Sequence, residues 1–482
     1  MKNLLRILCL AAIVFVFDKC ARNPVTGKNQ VVLMSEKQEL AMGQEADPQV
    51  IAQYGLYEDS VIQRYMRTKG EQLAALSDRP NITYQFRVLN SNVVNAFAIP
   101  GYVYFTRGIM AYFNNEAQFE GVLGHEIGHI AARHSVAQQR NQLLGQIGLL
   151  AGMIVAPNLA QFADIASQGV GLLLLKNSRD DERQADQLGV KYSTKAGYDA
   201  HQMAAFFNTL KRQETQGGGS TLPPFLSTHP DPGERNTTVN QLATEWQQKT
   251  NLTNPKIMRD EYLRRVEGLI YGEDPREGFL ENGVFYHPGL KFQFPIPSDW
   301  KYQNTPQQVQ AAPQDGKALF MFMLAPGSSL QDAANTALLK YKLTLVDSRS
   351  VTVNGNPALT VVADQPAQQQ GAASLRTLSY FIQYGGNIYH MIGVSTITDF
   401  APYENTFASM MQGFRSLTDA SKLNRKPERI HVRSVNRAGT LDQVLHNYGV
   451  TDSKRLEELA ILNGMNLNDR VASGTLIKII GQ

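Results

Sequence analysis

Cysteine is nearly absent from this 482-residue chain: only Cys9 and Cys20 occur, both close to the N-terminus. Loss of a leader would leave one at most, which excludes an internal disulfide framework. An excess of one charge is also missing, since 46 Lys+Arg face 43 Asp+Glu for a net charge of +3. That balance gives no basic footprint, so nucleic acid is not an expected partner. No apolar run reaches the roughly 20 residues that a membrane-spanning helix requires. Neither a repeat array nor a long low-complexity tract is present. What remains is a composition with 43% hydrophobic and 18% charged residues, that of a globular protein. Its length suggests about three domains.

The N-terminus carries an address. Lys2 and Arg6 precede an apolar run, Ile7 to Phe17, of signal-peptide length. Residues 1–19 are therefore expected to direct export, to a periplasm or cell envelope. A sole cysteine placed directly after such a core resembles a bacterial lipoprotein cleavage site, with Cys20 as the lipidated first residue and membrane anchor. Phe17, Asp18 and Lys19 depart from the small and apolar residues usual there. Ordinary cleavage nearby, or an uncleaved anchor, are the other readings.

Further along, Ser35 with Gln38 forms a capping-box pattern opening a helix to about Gln53. A second helix is expected over Asp59 to Leu76, a strand over Thr83 to Leu89, and extended chain over Asn95 to Thr106, broken at Pro100-Gly101. A long helix should open near Asn114 or Asn115 and run past Arg133. Gln142 to Leu175 reads as a buried or partly exposed helical hairpin; membrane insertion is disfavoured because each half is too short. Helices over Asp180–Lys195, His201–Gln213 and Thr237–Thr250 follow, with a flexible loop at Gly217 to Ser220. After a composition shift near Tyr271, residues 290–417 alternate short strands with helical patterns, and residues 430–482 read as strand, two helices, strand.

The chemistry concentrates in His125-Glu126-Ile127-Gly128-His129. Residues four apart on a helix share a face, so both imidazoles reach one ion. Zinc accepts nitrogen and oxygen ligands tetrahedrally, and a catalytic site leaves one position open for water. Glu126, next to the first histidine, stands where a general base is required. A purely structural helix would gain nothing from burying these groups unpaired. One zinc per chain is expected, and a third ligand is needed. Glu182 and Asp186 lie four apart on the next acidic helix; one could bind the ion while the other holds a ligating imidazole. An exposed acidic helix start is the equally open alternative.

The run Asn115-Glu116-Ala117 through His125-Glu126-Ile127-Gly128-His129 to Arg133-His134 resembles the active-site helix of gluzincin peptidases related to HtpX, the CaaX prenyl protease and the mitochondrial Oma-type protease. Ser178-Arg179-Asp180-Asp181-Glu182 through Asp186 is similar to their third-ligand helix. The resemblance implies metal ligands His125, His129 and Glu182, with Asp186 behind them. Asn95-Ala96-Phe97-Ala98 is similar to the segment whose edge strand pairs with extended substrate, which makes Asn95, Ala96 and Phe97 substrate-binding candidates. Ser227-Thr228-His229-Pro230 with Glu234-Arg235 resembles the loop over the zinc, and implies that His229 and Arg235 steady the oxyanion. In some relatives the equivalent histidine caps the metal. His134 and His201 are left structural. The match covers residues 33–265 and looks like the exported, periplasmic branch, associated with envelope quality control.

Ile430 to Gln482, with Leu462-Asn463-Gly464 and Ser473-Gly474-Thr475-Leu476, resembles a LysM-like module, a type that often binds peptidoglycan. An Asp usual between Gly439 and Thr440 is missing. The central region, with Phe294-Pro295-Ile296-Pro297-Ser298-Asp299-Trp300, resembles PsbP/Mog-like domains. The expected architecture is thus multidomain: signal peptide 1–19, linker 20–32, a mainly α-helical (α+β) gluzincin peptidase domain 33–265, linker 266–289, an α/β domain 290–417, linker 418–429, and a small βααβ LysM-like module 430–482. The expected function is a zinc metalloendopeptidase acting on misfolded or misassembled envelope proteins. The alternative is a non-proteolytic envelope scaffold binding wall glycan or assembly partners.

Overall fold

Capping chemistry sets where the first helices start. In the computed structural model, Ser35 caps α1 (Glu36–Tyr54) through the reciprocal bonds of a capping box with Gln38, and Asp59 caps α2 (Ser60–Ala74). The structure describes residues 34–135, 178–216, 232–367 and 373–482, together with 20–22, 24, 25, 27, 29–31, 159, 162, 225 and 229. The apolar leader, most of the Gln142–Leu175 hairpin and the Gly217–Ser220 loop lie outside these residues. Among the described residues no helix is long and apolar enough to cross a membrane. Cys20 begins a short strand, β1 (Cys20–Arg22), paired antiparallel with β2 (Asn29–Val31).

A three-stranded sheet follows, from β3 (Gln85–Leu89), β4 (Ala96–Ile99) and β5 (Tyr102–Thr106). Its order is β3-β5-β4, with β5 parallel to β3 and antiparallel to β4. This leaves β4 at an edge. The Pro100-Gly101 turn between β4 and β5 uses a left-handed Gly101 with φ of 78°. Thr106 then caps a short helix, α3 (Arg107–Tyr112), and Asn115 caps the long central helix α4 (Glu116–Ala132). Every residue of α4 is buried. The helix does not run past Arg133, which instead adopts the left-handed region at φ of 62° and ends it.

Four more helices surround α4: α5 (Arg179–Lys195), α6 (His201–Gln216), α7 (Pro232–Lys249) and α8 (Arg259–Arg265). The start of α7 is five residues earlier than the sequence pattern indicates, because Pro232 stands at its first position, where the missing N–H costs nothing. Helices α4 and α5 touch along a seam of small residues. A Cβ built on Gly124 would lie 3.0 Å from the Gly189 carbonyl oxygen, and one on Gly189 would lie 2.9 Å from the His125 nitrogen.

The chain then builds a second body. Strands β7 (Phe279–Glu281), β8 (Val284–His287) and β9 (Phe292–Pro295) form a small sheet, reached after the two-residue β6 (Ile270–Tyr271). A seven-stranded antiparallel sheet packs beside it: β10 (Lys301–Asn304), β11 (Gln308–Ala312), β12 (Ala318–Leu324), β13 (Thr344–Val353), β14 (Asn356–Gln365), β15 (Leu375–Tyr384) and β16 (Asn387–Thr396), in the order β10-β11-β12-β16-β15-β14-β13. Helices α9 (Leu330–Lys340) and α10 (Phe400–Gln412) contribute to apolar cores on this sheet. Strand β13 escapes sequence reading because its residues are largely exposed and lack apolar alternation.

The last segment contains β17 (Glu428–Ser434), α11 (Leu441–Asn447), α12 (Ser453–Leu462) and β18 (Leu476–Gly481). Strand β17 pairs with both β18 and β6. Ile430, Leu441, Leu459 and Ile477 belong to the same apolar core as Phe119, Val122 and Ile127 of α4. The protein is therefore mixed α+β, with more than one body.

Behind α4, Glu116 accepts from Tyr65, Lys69 and Tyr198. Glu120, one turn on, lies 3.8 Å from the same Lys69, whose closer partner is Glu116 at 2.6 Å. Burial pushes the Glu120 carboxyl up to about 8. A folded-state pKa raised above the unfolded one stabilises below the ordinary carboxylate range and loses that contribution as pH rises through about 8. Glu120→Gln should therefore flatten the decline in melting temperature between mildly acidic and alkaline pH, by the equivalent of a few kcal/mol on the order-of-magnitude scale of such a shift. Thermal melts of both proteins across that range check it; parallel curves would rule the assignment out.

Candidate metal centre

The spacing of His125 and His129 on α4 puts both rings on one face, 4.6 Å apart between centroids. The glycine seam brings α5 close enough for Glu182 to join them. Its Oε2 lies 3.5 Å from His125 Nε2 and its Oε1 lies 3.4 Å from His129 Nε2. The two inward nitrogens are themselves 3.0 Å apart. His229 completes the cluster, with Nδ1 at 3.2 Å from His125 Nε2 and 2.9 Å from Glu182 Oε1. One donor atom from each of these four buried residues lies within 4.8 Å of all the others.

The outer hydrogen bonds decide which way the lone pairs point. Asp186 Oδ1 lies 2.9 Å from His125 Nδ1. A carboxylate only accepts, so Nδ1 carries the proton and His125 Nε2 keeps its lone pair inward. Nδ1 of His129 faces Nδ1 of His134 at 2.8 Å, and Nε2 of His134 faces Gln184 Oε1 at 2.9 Å. His134 gives its proton to the glutamine oxygen, so His129 donates outward and its Nε2 also keeps an inward lone pair. Two imidazole lone pairs and a carboxylate thus converge at hydrogen-bond distance with too few protons to bond one another. A cation fits that space, and two nitrogens with one oxygen suit zinc.

Charge is arranged around the cluster in the same sense. Arg235 donates from Nε and Nη2 to Asp186 at 2.8 and 2.7 Å, and its Nη1 lies 3.1 Å from Glu182 Oε2. Its guanidinium also lies 4.3 Å over the Phe207 ring. Against the effect of burial, His229 and Arg235 hold the Glu182 carboxyl well below its usual range. Burial likewise favours the protonated form of Asp186, but the charge and hydrogen bonds of Arg235 hold it low. Burial drives His125 down to about 3, so it is neutral, as a metal ligand must be.

Glu126 is different. It is fully buried, and among the described residues neither carboxylate oxygen has a hydrogen-bond partner. The nearest ion-pair contact is His229 Nε2, 3.6 Å from Oε1. Burial pushes its carboxyl up to about 8. An unpartnered buried carboxyl is costly unless something uses it.

The structure gathers His125, His129, Glu182, His229, Asp186, Arg235 and Glu126 in one place. Asn95, Ala96 and Phe97 lie on and just before the β4 edge, all buried, and β4 packs against α4. Phe225 donates its N–H to Val94 O at 3.3 Å and stacks on the His229 ring at 4.5 Å, linking that edge to the metal cluster. His134, read as structural from the sequence, bonds His129 of the cluster. The left-handed Arg133 folds it back beneath His129; its proximity to the motif in sequence was the available signal. His201 bonds Asp199 and Thr244, away from the cluster.

Two histidines four apart on a buried helix, a glutamate from the next helix and a free carboxyl beside them define a metallopeptidase-type centre. Residues 61–243 match the profile of Peptidase family M48. The chain is 33% identical over 205 residues to metalloprotease YcaL of Escherichia coli strain K12, covering 78% of that protein and 40% of this one. It is 28% identical over 263 residues to the beta-barrel assembly-enhancing protease of Yersinia pestis, covering 52% of each. The chain belongs to peptidase family M48. Matches to the beta-barrel assembly-enhancing proteases span 40% to 60% of those proteins' length. A solved cyanobacterial PsbP from Synechocystis aligns with 28% of this chain and 91% of its own, at 9% identity and a TM-score of 0.23, too low to argue from.

Two substitutions probe the centre. Gly189→Ala places a Cβ 2.9 Å from backbone nitrogen, so the helices must part. It should cost about 1–3 kcal/mol in stability and weaken zinc binding, read by melting and by chelator competition. His134→Ala removes the outer partner of His129 and should lower zinc affinity about 10–100-fold with little change in helix content. Unchanged zinc affinity in this variant would remove His134 from the centre.

Proposed function

We propose that the protein is a zinc-dependent metalloendopeptidase with His125, His129 and Glu182 as ligands and Glu126 as general base. The observation that carries this reading is the buried, unpartnered Glu126 carboxyl beside three convergent donors. Bound zinc would polarise the scissile carbonyl and lower the pKa of water to about 7. Glu126 takes the proton of the attacking water and delivers it to the leaving amine. Asp186 fixes the tautomer of His125, and Arg235 neutralises the Asp186–Glu182 pair. With its donors spent on those carboxylates, Arg235 acts by positioning, whereas His229 Nε2, near Glu126, is placed to steady the oxyanion.

Substrate enters as an extended strand along β4, where Asn95, Ala96 and Phe97 offer backbone more than side chains, since all three side chains are packed inward. The substrate class follows from the address and from the relatives' names: misfolded or misassembled envelope proteins, reached by export, with Cys20 as a lipid anchor. Residues 430–482 are read as LysM-like, with peptidoglycan as the contact such modules often make.

Zinc content and casein cleavage, measured on the parent and on Glu126→Gln, test the proposal. One zinc in both, with cleavage in the parent and a loss of at least about 100-fold in the variant, is the expected result. A parent that binds no zinc would falsify it.

A further inference from the structure

One corner of the seven-stranded sheet is exposed among the described residues. Helix α9 buries Ala333, Ala334 and Ala337, which turns Leu339 outward; at 82% exposure it is the most exposed large apolar side chain among the described residues. The helix then ends in a tight reversal. Lys342 takes a left-handed φ of 54°, and the Leu343 N–H bonds to Leu338 O at 2.8 Å. Strand β13 starts at once, and a bulge between Leu345 and Asp347 inserts Val346 as an extra residue. Leu345 and Val346 are consequently both exposed, at 49% and 53%.

Three large apolar side chains therefore project within eight residues of one sharp turn, interleaved with exposed Lys340 and Lys342. From Ala333 to Val346 the sequence has no acidic residue. Exposed apolar groups at such density mark a contact surface. Its chemistry discriminates among occupants. The bulge and the Asp347–Arg349 pair at 2.9 Å guard the edge of β13 against strand addition, whether by a peptide or by a second copy. Apolar tips flanked by lysine are the pattern of shallow insertion between anionic headgroups.

We propose that the α9–β13 corner, Leu339 with Leu345 and Val346 flanked by Lys340 and Lys342, docks on an anionic lipid surface. One acyl chain holds a protein to a bilayer only weakly, and a basic-apolar patch is the kind of second signal that makes attachment stable. The corner would also fix how the body built on β10–β16 faces the membrane. The proposal stands apart from the peptidase reading, since vesicle binding is measured without cleavage.

Co-sedimentation of the full chain with vesicles of mixed phosphatidylglycerol and phosphatidylcholine, against pure phosphatidylcholine, tests it. The quantity compared is the anionic-selective part of binding. In Leu339→Ser/Leu345→Ser/Val346→Ser this should fall at least about tenfold. In Lys340→Gln/Lys342→Gln it should also fall, and lose its salt dependence. Unchanged melting curves would show both variants folded, as expected for exposed positions. Equal binding to both vesicle types by the parent, or undiminished selective binding by both variants, overturns the proposal. So does a parent dimer that the apolar variant converts to monomer without lipid, which would assign the corner to a second copy.

Discussion

The close approach of α4 and α5 is the constraint on which the rest of the structure depends. Glu182 meets His125 and His129 because two helix backbones come so near that a Cβ at Gly189 would stand 2.9 Å from backbone nitrogen and one at Gly124 3.0 Å from a carbonyl oxygen. Gly128 serves the same seam, with Leu188 Cβ 3.0 Å from where its own Cβ would be. Glycine in a helix interior costs about 1 kcal/mol against alanine, so α4 with Gly121, Gly124 and Gly128 accepts a local penalty. The return is geometric: candidate donors from separate helices converge at one point. Because α4 is buried along its whole length, this geometry is set by packing from every side.

Convergence creates an electrostatic problem, and the neighbouring residues answer it. Glu182, Asp186 and Glu126 bring three carboxyl groups into a volume from which water is largely excluded. Arg235 offsets two of them, Asp186 through paired hydrogen bonds and Glu182 through an ion pair, and its guanidinium lies over the Phe207 ring. Glu126 is the group left over. Its environment favours the neutral acid, whereas the inward lone pairs of His125 and His129 call for a cation. Binding a cation there would relieve both tensions at once, which is why a metal couples to stability as well as to chemistry in such sites.

Much of this was legible in the sequence where a local rule acts alone. The Ser35–Gln38 box, the Asp59 cap and the Asn115 cap each satisfy orphan backbone donors within three residues, so composition and spacing suffice. The His125–His129 spacing is of the same kind. What depends on a backbone turn or on distant partners was not legible. His134 bonds His129 only because Arg133 takes a left-handed φ, which arginine rarely does. Arg235 reaches Asp186 across 49 residues, and its donors are spent there, a fact that no spacing in the sequence expresses. Strand β13 has seven consecutive exposed residues from Thr344 and so lacks the apolar alternation by which strands are read.

The last segment shows how one buried charge joins what sequence composition separates. Lys478 of β18 is fully buried, and its Nζ donates to Ala111 O at 2.7 Å and Phe113 O at 3.0 Å. Those carbonyls end α3, immediately before the Asn115 cap of the histidine-bearing helix. No carboxylate lies within ion-pair distance of Lys478 among the described residues, and burial pulls its ammonium well below the ordinary lysine range. An isolated buried ammonium is costly, whereas a lysine at a helix C-terminus satisfies carbonyls that would otherwise be orphaned. Asn463 locks the same strand, accepting from the Lys478 N–H and donating to the Lys478 carbonyl, both at 2.8 Å. If the segment hung from a linker as an independent glycan reader, Lys478 would gain nothing by leaving water. Its burial against α3 makes the C-terminal segment a structural part of the body that holds the histidine cluster.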